Sequence, residues 1–149
     1  MCGAHAAVRH LLNGILQEEQ VVTVIDMEAG LEHLSRGTDR HVDVLLVVAE
    51  PYFKALETSR RCVELGRELK IPRVVVVANK YHSADELTAI RNYVAKYGLP
   101  LIGEVPFDPH VTRADQAGEA PALDEDSAAV SAIGKIVDGL GLSSRTELD

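Results

Sequence analysis

The amino-acid sequence predicts an α/β protein with a three-layer, mostly parallel sheet. Two unbroken apolar runs, V-L-L-V-V-A within residues 42–50 and R-V-V-V-V-A-N at 73–79, suit strands covered on both faces. Segments with helical spacing of apolar residues alternate with these runs. Because parallel strands need long crossovers, such alternation indicates strands joined by right-handed helical connections.

The composition excludes several classes of function. The chain has 149 residues, with 15 basic and 23 acidic side chains and a formal charge of −8. Nucleic-acid binding rewards clustered Lys and Arg, so we expect no nucleic-acid partner. The sequence predicts neither a membrane span nor a secretory signal. Two cysteines give no disulfide framework, which favours a cytoplasmic location. We expect residues 1–141 to form one domain and 142–149 a flexible tail.

The first half of the chain is predicted to alternate helices and strands. We expect a helix over 4–17, a strand over Val21–Asp26, a short helix ending near Gly37, a strand over Val42–Glu50 and a helix over Tyr52–Lys70. Pro72 bars continuation of the last helix. Its inward residues are expected to be Phe53, Leu56, Val63 and Leu69.

The second half is predicted to continue the same alternation. A strand over Arg73–Asn79 precedes a helix that Ser83 and Glu86 begin as a capping box and Gly98 ends. A short strand over Leu101–Val105 follows, then a long loop over Pro106–Leu123 with at most one helical turn. Asp126 or Ser127 should cap a last helix that ends at Gly141. The expected inward residues are Leu87, Ile90, Val94 and Tyr97 in the first of these helices and Val130, Ile133, Val137 and Leu140 in the second.

One carboxylate stands at the end of the first predicted strand. In V-V-T-V-I-D-M-E-A-G, Asp26 follows five apolar or β-branched residues, and Gly30 follows four residues later. Ligands of α/β sheets bind beyond the carboxyl ends of the strands. A carboxylate there suits Mg²⁺, and a glycine lets the backbone approach a phosphate. The rival interpretation is a turn Asp that simply ends the strand.

Polar residues and prolines also end the later strands. Asn79 and Lys80 end the third strand, and an Asn amide can donate and accept at once, as the edge of a nucleobase requires. V-P-F-D-P at 105–109 ends the fourth strand, where Pro106 stiffens the loop. The rival interpretation of both is ordinary turn residues. For Glu50-Pro51 the sequence predicts only a strand stop.

Taken in order, these segments resemble one family. D-M-E-A-G-L-E-H-L-S-R-G-T, V-V-A-E-P, V-V-A-N-K and G-E-V-P-F-D-P are similar to the later portion of the MinD/ParA-type P-loop ATPases. The similarity is greatest to the CooC-like branch, the accessory ATPases of nickel insertion into carbon monoxide dehydrogenase. It runs from about Cys2 to Leu140.

The resemblance implies a P-loop NTPase fold, a cytoplasmic homodimer, ATP or ADP with Mg²⁺ as cofactors, and a carbon monoxide dehydrogenase-like client. It also implies roles for individual residues. Asp26 would be the catalytic Walker B carboxylate near Mg²⁺, Gly30 would lie in the switch that senses the γ-phosphate, Asn79 and Lys80 would face adenine, and Pro106 and Asp108 would line the base pocket.

The sequence departs from the family in its phosphate site. No G-x-x-x-x-G-K-[ST] string occurs, so the backbone cradle, its Lys and its Mg²⁺-binding hydroxyl are not encoded in these residues. We therefore expect negligible ATPase activity from this chain alone. In the family, the P-loop strand lies between the strands like Val21–Asp26 and Val42–Ala49. We expect those two strands to close on each other or to drive self-association.

The segment C-G-A-H places a possible metal ligand at Cys2. CooC-like proteins carry a C-x-C pair here that is thought to bind Ni²⁺ or Zn²⁺ across a dimer, and only one of the two cysteines is present. His5 could complete two Cys and two His per dimer. A free thiol on a frayed terminus is the rival interpretation.

Two other functions stay open at this point. The chain could be a non-enzymatic interaction module that pairs with a full-length ATPase relative or a client through its strands. It could also be a receiver-like domain with Asp26 as phosphoacceptor. The receiver interpretation needs an acidic cluster after the first strand, whereas Gln17-Glu18-Glu19 follows a helical segment.

Overall fold

The structure is a computed structural model that describes residues 22–27, 42–121 and 126–142. The chain divides into two compact units, Met1–Val42 and Asp43–Asp149, and each is considered by itself. The predicted helix over 4–17 and the short helix ending near Gly37 lie outside the described residues.

In the first unit, the predicted strand over Val21–Asp26 is wrong across its described part. Residues 22–27 form no strand. Val22, Val24 and Ile25 are 57%, 86% and 43% exposed, whereas a buried strand would cover them. A run of β-branched residues expresses a local preference for extended backbone. A strand also needs a hydrogen-bonding neighbour and a covering layer, which the run itself does not supply.

The second unit contains a parallel sheet in the order β1-β2-β3. The strands are β1 Val44–Ala49, β2 Arg73–Tyr81 and β3 Leu101–Pro106. The helices are α1 Phe53–Glu68, α2 Ala84–Lys96, α3 Pro109–Ala117 and α4 Ala128–Leu140. β2 extends two residues further than predicted, through Lys80 and Tyr81.

Helices cover both faces of this sheet. One face forms a core with α1 and α2, made of Val47, Ala49, Leu56, Val63, Val76, Ala78, Ile90, Val94 and Leu99. The other forms a smaller core with α4, made of Val77, Val105, Ala129 and Ile136. Successive strand residues point to opposite faces, so the valine run of β2 supplies both cores. The predicted three-layer parallel α/β fold is confirmed.

Sequence signals locate several helix ends correctly. Ser83 Oγ accepts a hydrogen bond from the Glu86 N–H at 3.2 Å, as expected of a capping box. The Glu86 carboxylate accepts from the His82 N–H at 2.6 Å. Gly98 and Gly141 have φ values of 59° and 76°, the left-handed conformation that favours glycine after a helix.

The predicted long loop over Pro106–Leu123 is wrong, because it contains α3. Asp108 caps this helix, Pro109 occupies its first turn, and Gly118 ends it with a φ of 71°. A polar cap, a proline at the first position and a glycine after the last turn are ordinary helix signals. A search for helical periodicity misses this helix because its apolar stripe is short.

The expected inward stripe of α4 is wrong at two positions. Ala129 and Ile136 are buried, while Ile133 and Val137 are 50% and 36% exposed. Apolar residues surround much of this helix, so periodicity alone does not choose the packed side. Gly103 of β3 leaves room for Ile136, so the helix lies close to the strand on that side.

Three further residues expected to be inward are exposed. Phe53, Leu69 and Tyr97 are 75%, 39% and 41% exposed. Each lies at the first residue of a helix or at the residue just beyond its last turn. Leu56, Val63, Ile90 and Val94 are buried as predicted. Leu87 is only partly buried and packs against the same core.

Candidate functional site

The carboxyl ends of the three parallel strands meet at one edge of the sheet. We call this edge the strand-end rim and define it by Glu50, Asn79, Lys80, His82 and Pro106–Asp108. Register pairs Ala49 with Ala78, Asn79 with Val105, and Tyr81 with Pro106. Four of the predicted site residues, Asn79, Lys80, Pro106 and Asp108, are therefore brought to a single edge, where sheets of this type bind ligands.

An ion pair joins the ends of β1 and β2. Lys80 Nζ lies 3.1 Å from Glu50 Oε1, with both side chains partly exposed. Lys80 has a φ of 54°, in the left-handed region that non-glycine residues seldom adopt. The β2–β3 register shifts between Asn79 and Tyr81, so the strand is irregular at this residue. Glu50, which the sequence marks only as a strand stop, is thus part of the rim.

Asn79 places a side-chain amide at the strand-end rim. The residue is half-buried next to Val105 in the sheet register. Within the described ranges, its amide makes no hydrogen bond with another residue. Such an amide can donate and accept in the same plane, as the edge of a nucleobase does.

Two aromatic rings join the loops that follow β2 and β3. The rings of His82 and Phe107 are stacked, with centroids 4.4 Å apart and planes inclined by 25°. The Phe107 N–H donates to the Tyr81 carbonyl oxygen at 2.9 Å. Phe107 is 41% exposed. Neither residue is predicted as a site residue. A single His or Phe among turn residues forms no motif that one sequence could reveal.

The carboxylate of Asp108 holds two helix starts. One oxygen accepts from the His110 N–H at 2.8 Å, and the other accepts from Ser127 Oγ at 2.8 Å and the Ala129 N–H at 3.1 Å. These hydrogen bonds, those from the His110 and Ala129 amides first and that from Ser127 next, lower the pKa of Asp108 to about 2. Asp108 is buried, and its hydrogen bonds anchor the starts of α3 and α4 at the rim. Its role in lining a base pocket stays a prediction.

The remaining predicted site residues belong to the first unit, and most of them lie outside the described residues. Asp26 is exposed and belongs to the first unit. Gly30, Cys2 and His5 lie outside the described residues. Across residues 22–27, 42–121 and 126–142, no group of three or more His, Cys, Asp or Glu could hold a metal ion.

A concavity of about 410 Å³ lies between β3 and α4, away from the rim. Leu101–Glu104 line one wall, and Ala132, Lys135 and Ile136 line the other. It follows the amino-terminal part of β3, whereas the rim lies beyond the strand's carboxyl end.

Solved structures identify the class of fold. The chain matches the cell division ATPase MinD of Pyrococcus furiosus with a TM-score of 0.74 at 17% identity, over 92% of this chain and 58% of that one. It matches the MinD cell division protein of Aquifex aeolicus with a TM-score of 0.62 at 20% identity, over 74% and 50%. The fold is that of the MinD/ParA-type P-loop NTPases.

Sequence relatives narrow the class further. The chain is 40% identical over 118 residues to the carbon monoxide dehydrogenase accessory protein CooC of Rhodospirillum rubrum, covering 79% of this chain and 44% of that protein. It is 34% identical over 128 residues to an uncharacterized ATP-binding protein of Methanocaldococcus jannaschii, covering 86% and 50%. No protein-family model matches. The chain belongs to the CooC-like branch of the MinD/ParA-type P-loop ATPases and spans about half the length of the curated relatives it matches.

None of the helices in the described ranges is both long and apolar enough to cross a bilayer.

Proposed function

We propose that the strand-end rim binds the base of an adenine nucleotide in an accessory protein that helps build the metal centre of carbon monoxide dehydrogenase. The observation that carries the base site is the half-buried Asn79 amide, unpaired among the described residues at the carboxyl end of β2. The named relative, an accessory protein of that enzyme, supports the client. The ATP-binding relatives support the nucleotide.

The chemistry divides between binding and turnover. The Asn79 amide would pair with the base edge, and the Glu50–Lys80 pair would hold the ends of β1 and β2 at a fixed separation. Asp26 and Gly30 would meet Mg²⁺ and the γ-phosphate. The 149 residues contain no P-loop string, so the phosphate cradle is not encoded in them. The chain would therefore bind the nucleotide through its base and would not hydrolyse it. Nickel would be cargo, with Cys2 and His5 across a homodimer as its candidate ligands.

Calorimetric titration of the 149-residue chain with ADP tests the base site. We expect Asn79→Ala to weaken ADP binding about tenfold, because one or two hydrogen bonds to the base are lost. Asn92→Ala, an exposed amide on α2, is the matched control and should bind like the wild type. Absence of ADP binding by the wild-type chain would overturn the proposal.

A second candidate function is a non-enzymatic module that pairs with a full-length ATPase relative or the client. It is favoured by the exposed apolar face of β1, where Leu46 and Val48 are 40% and 54% exposed. Light scattering of the chain mixed with the full-length CooC relative tests it. A complex that Leu46→Ser/Val48→Ser abolishes would support the module, and absence of any complex would refute it.

A further inference from the structure

We propose that the free edge of β3 and one side of α4 form a groove that binds a short, extended, acidic peptide of a partner protein as an added strand. We call it the edge groove, and it is lined by Leu101–Glu104 of β3 and by Ala132, Lys135 and Ile136 of α4. Its volume of about 410 Å³ lies within the range of ligand-binding clefts, ~300–1,000 Å³. The groove lies away from the strand-end rim, so the proposal is independent of nucleotide binding.

The residues that line the groove place it at the edge of the sheet. Leu101 packs against the core that α1 and α2 cover, and Ile102 packs against the core that α4 covers, so these neighbours belong to opposite faces. A concavity on one face would be lined by alternate strand residues, whereas consecutive residues line this one. Among the described residues, none of β2 lines it. The groove therefore runs along the side of β3 that points away from β2.

Backbone groups on that side of β3 are available to a further strand. In the described part of the chain, β2 is the only strand that pairs with β3, and β3 ends the sheet order β1-β2-β3. A strand at the edge of a sheet presents a row of N–H and C=O groups without strand partners. An extended peptide satisfies such groups by adding a strand, and pockets beside it receive its alternate side chains. In the edge groove α4 supplies that wall, because residues spaced three and four apart share one side of a helix.

The ends and the register of β3 favour a short peptide over the edge of a second sheet. Pro100 precedes the strand and Pro106 ends it. One extra residue, Ile102, lies between the pairs Val76–Leu101 and Val77–Gly103, and such a bulge bends a strand locally. Short edge strands, prolines and bulges hinder edge-to-edge association of sheets. A second copy of this chain is therefore the disfavoured occupant.

The charges in the groove favour an acidic peptide. The Glu104 carboxylate accepts two hydrogen bonds from the Arg91 guanidinium, both at 2.6 Å, so its charge is already balanced. Lys135 is exposed, and it makes no ion pair or hydrogen bond with another described residue. An ammonium beside the peptide attracts a carboxylate side chain and repels a cationic one. This preference is local, because the chain as a whole carries a formal charge of −8.

A nuclear magnetic resonance titration of the isotope-labelled 149-residue chain with two synthetic peptides tests the groove. Both peptides are acetylated and amidated and alternate valine with threonine, and one carries a central glutamate where the other carries a lysine. We expect the glutamate peptide to shift the backbone amide resonances of Ile102, Gly103 and Glu104, and to leave those of Leu46 and Val48 on β1 unshifted. It should bind roughly fivefold more tightly than the lysine peptide.

Methylated peptides test the added strand itself. Successive backbone N–H groups of a strand point to opposite sides, so N-methyl groups on one alternate set of residues would face β3 and those on the other set would face away. We expect one of the two methylated glutamate peptides to bind about tenfold more weakly, because its strand hydrogen bonds are lost. The other should bind like the unmodified peptide. Equal binding of the two methylated peptides would overturn strand addition.

Charge reversal tests the role of Lys135. In Lys135→Glu the preference should reverse, so that the lysine peptide binds more tightly than the glutamate peptide. Lys54→Glu changes an exposed lysine on α1 and is the matched control, which should keep the preference for glutamate. An unchanged preference in Lys135→Glu would overturn the acidic character of the ligand.

Three other results would overturn the edge groove. Resonance shifts confined to β1 would assign the peptide to the opposite edge of the sheet. Shifts of Ile102–Glu104 that appear on raising the concentration of the chain without peptide would assign the groove to a second copy. Absence of binding by both peptides would also refute it. Each of these results leaves the proposed nucleotide site untouched, because the ADP titration tests that site separately.

Discussion

Asp108 shows how one side chain links the rim to the fold beneath it. The resemblance implies a base-pocket residue, while the structure gives its two oxygens three hydrogen bonds at the starts of α3 and α4. The sequence V-P-F-D-P marks the loop, and nothing local in it indicates Ser127, which lies nineteen residues further on. The missed contact is nonlocal, which explains why a motif argument does not find it.

The stability of the chain should depend on Asp108 in acid. Its pKa is lowered to about 2 in the folded chain from an ordinary value of 3.8. A lowered carboxyl pKa stabilises the fold above the unfolded value, and that stabilisation is lost as pH falls through the folded value. We therefore expect the wild-type urea midpoint to fall between about pH 4 and pH 2. In Asp108→Asn, the part of this fall due to Asp108 should be absent.

A control is needed because Glu57 titrates in the same range. The hydrogen bond from the Arg60 guanidinium, with a second from the Tyr93 hydroxyl, lowers the pKa of Glu57 to about 2. Glu57→Gln should retain the fall due to Asp108. If Asp108→Asn followed the wild-type pH curve, the assignment to Asp108 would be wrong.

Ser127 provides a second measure of the same anchor. It caps α4 by accepting from the Val130 N–H at 3.1 Å and donates to Asp108. We expect Ser127→Ala to lower the free energy of unfolding by about 1 kcal/mol, measured by urea denaturation, because a helix cap is lost. Ser131→Ala, at an exposed position in the same helix, should change it little.

At the scale of elements, the sequence correctly predicts helices and strands whose signals lie in neighbouring residues. It misses features of the fold that depend on residues far away in the chain. The valine run of β2 and the capping box of α2 are local signals, and both predictions hold. The buried face of α4 depends on β3, and the predicted stripe fails there. The strand predicted at Val21–Asp26 fails because a strand requires a partner that its own residues cannot specify.

The contact between α4 and β3 explains which side of that helix is buried. A Cβ added at Gly103 would lie 2.3 Å from the Ile136 Cγ1 atom, so glycine lets the helix approach the strand. We expect Gly103→Ala to lower the free energy of unfolding by about 1–3 kcal/mol, because Ile136 or the helix must shift. Thermal and urea denaturation would measure the change.

Gly134 offers a matched control in α4 itself. A Cβ there would meet nothing within 4 Å, so Gly134→Ala should stabilise the chain by about 0.5–1 kcal/mol through helix propensity. Equal effects of the two substitutions would contradict the close approach at Gly103.

At the scale of the whole molecule, the class of fold is more predictable than the site. Alternating apolar runs and helical stripes specify a parallel α/β sheet, and the MinD structures share that fold. Order along the chain also predicts that Asn79, Lys80 and Pro106 meet at one edge. The His82–Phe107 stack and the Glu50–Lys80 pair require side-chain geometry across loops, which no single segment encodes.

Hydrolysis of ATP requires groups around the γ-phosphate that binding of the base alone does not require. Phosphoryl transfer relies on positioned donors and Mg²⁺ around the γ-phosphate, and these 149 residues contain no P-loop string to supply the cradle. We expect the purified chain to release phosphate from Mg-ATP no faster than its Asp26→Asn variant does. The full-length CooC relative, run in the same phosphate-release assay, provides the reference. Turnover that depends on Asp26 would show that the chain forms a working phosphate site by another route, and the separation of binding from hydrolysis proposed for it would be wrong.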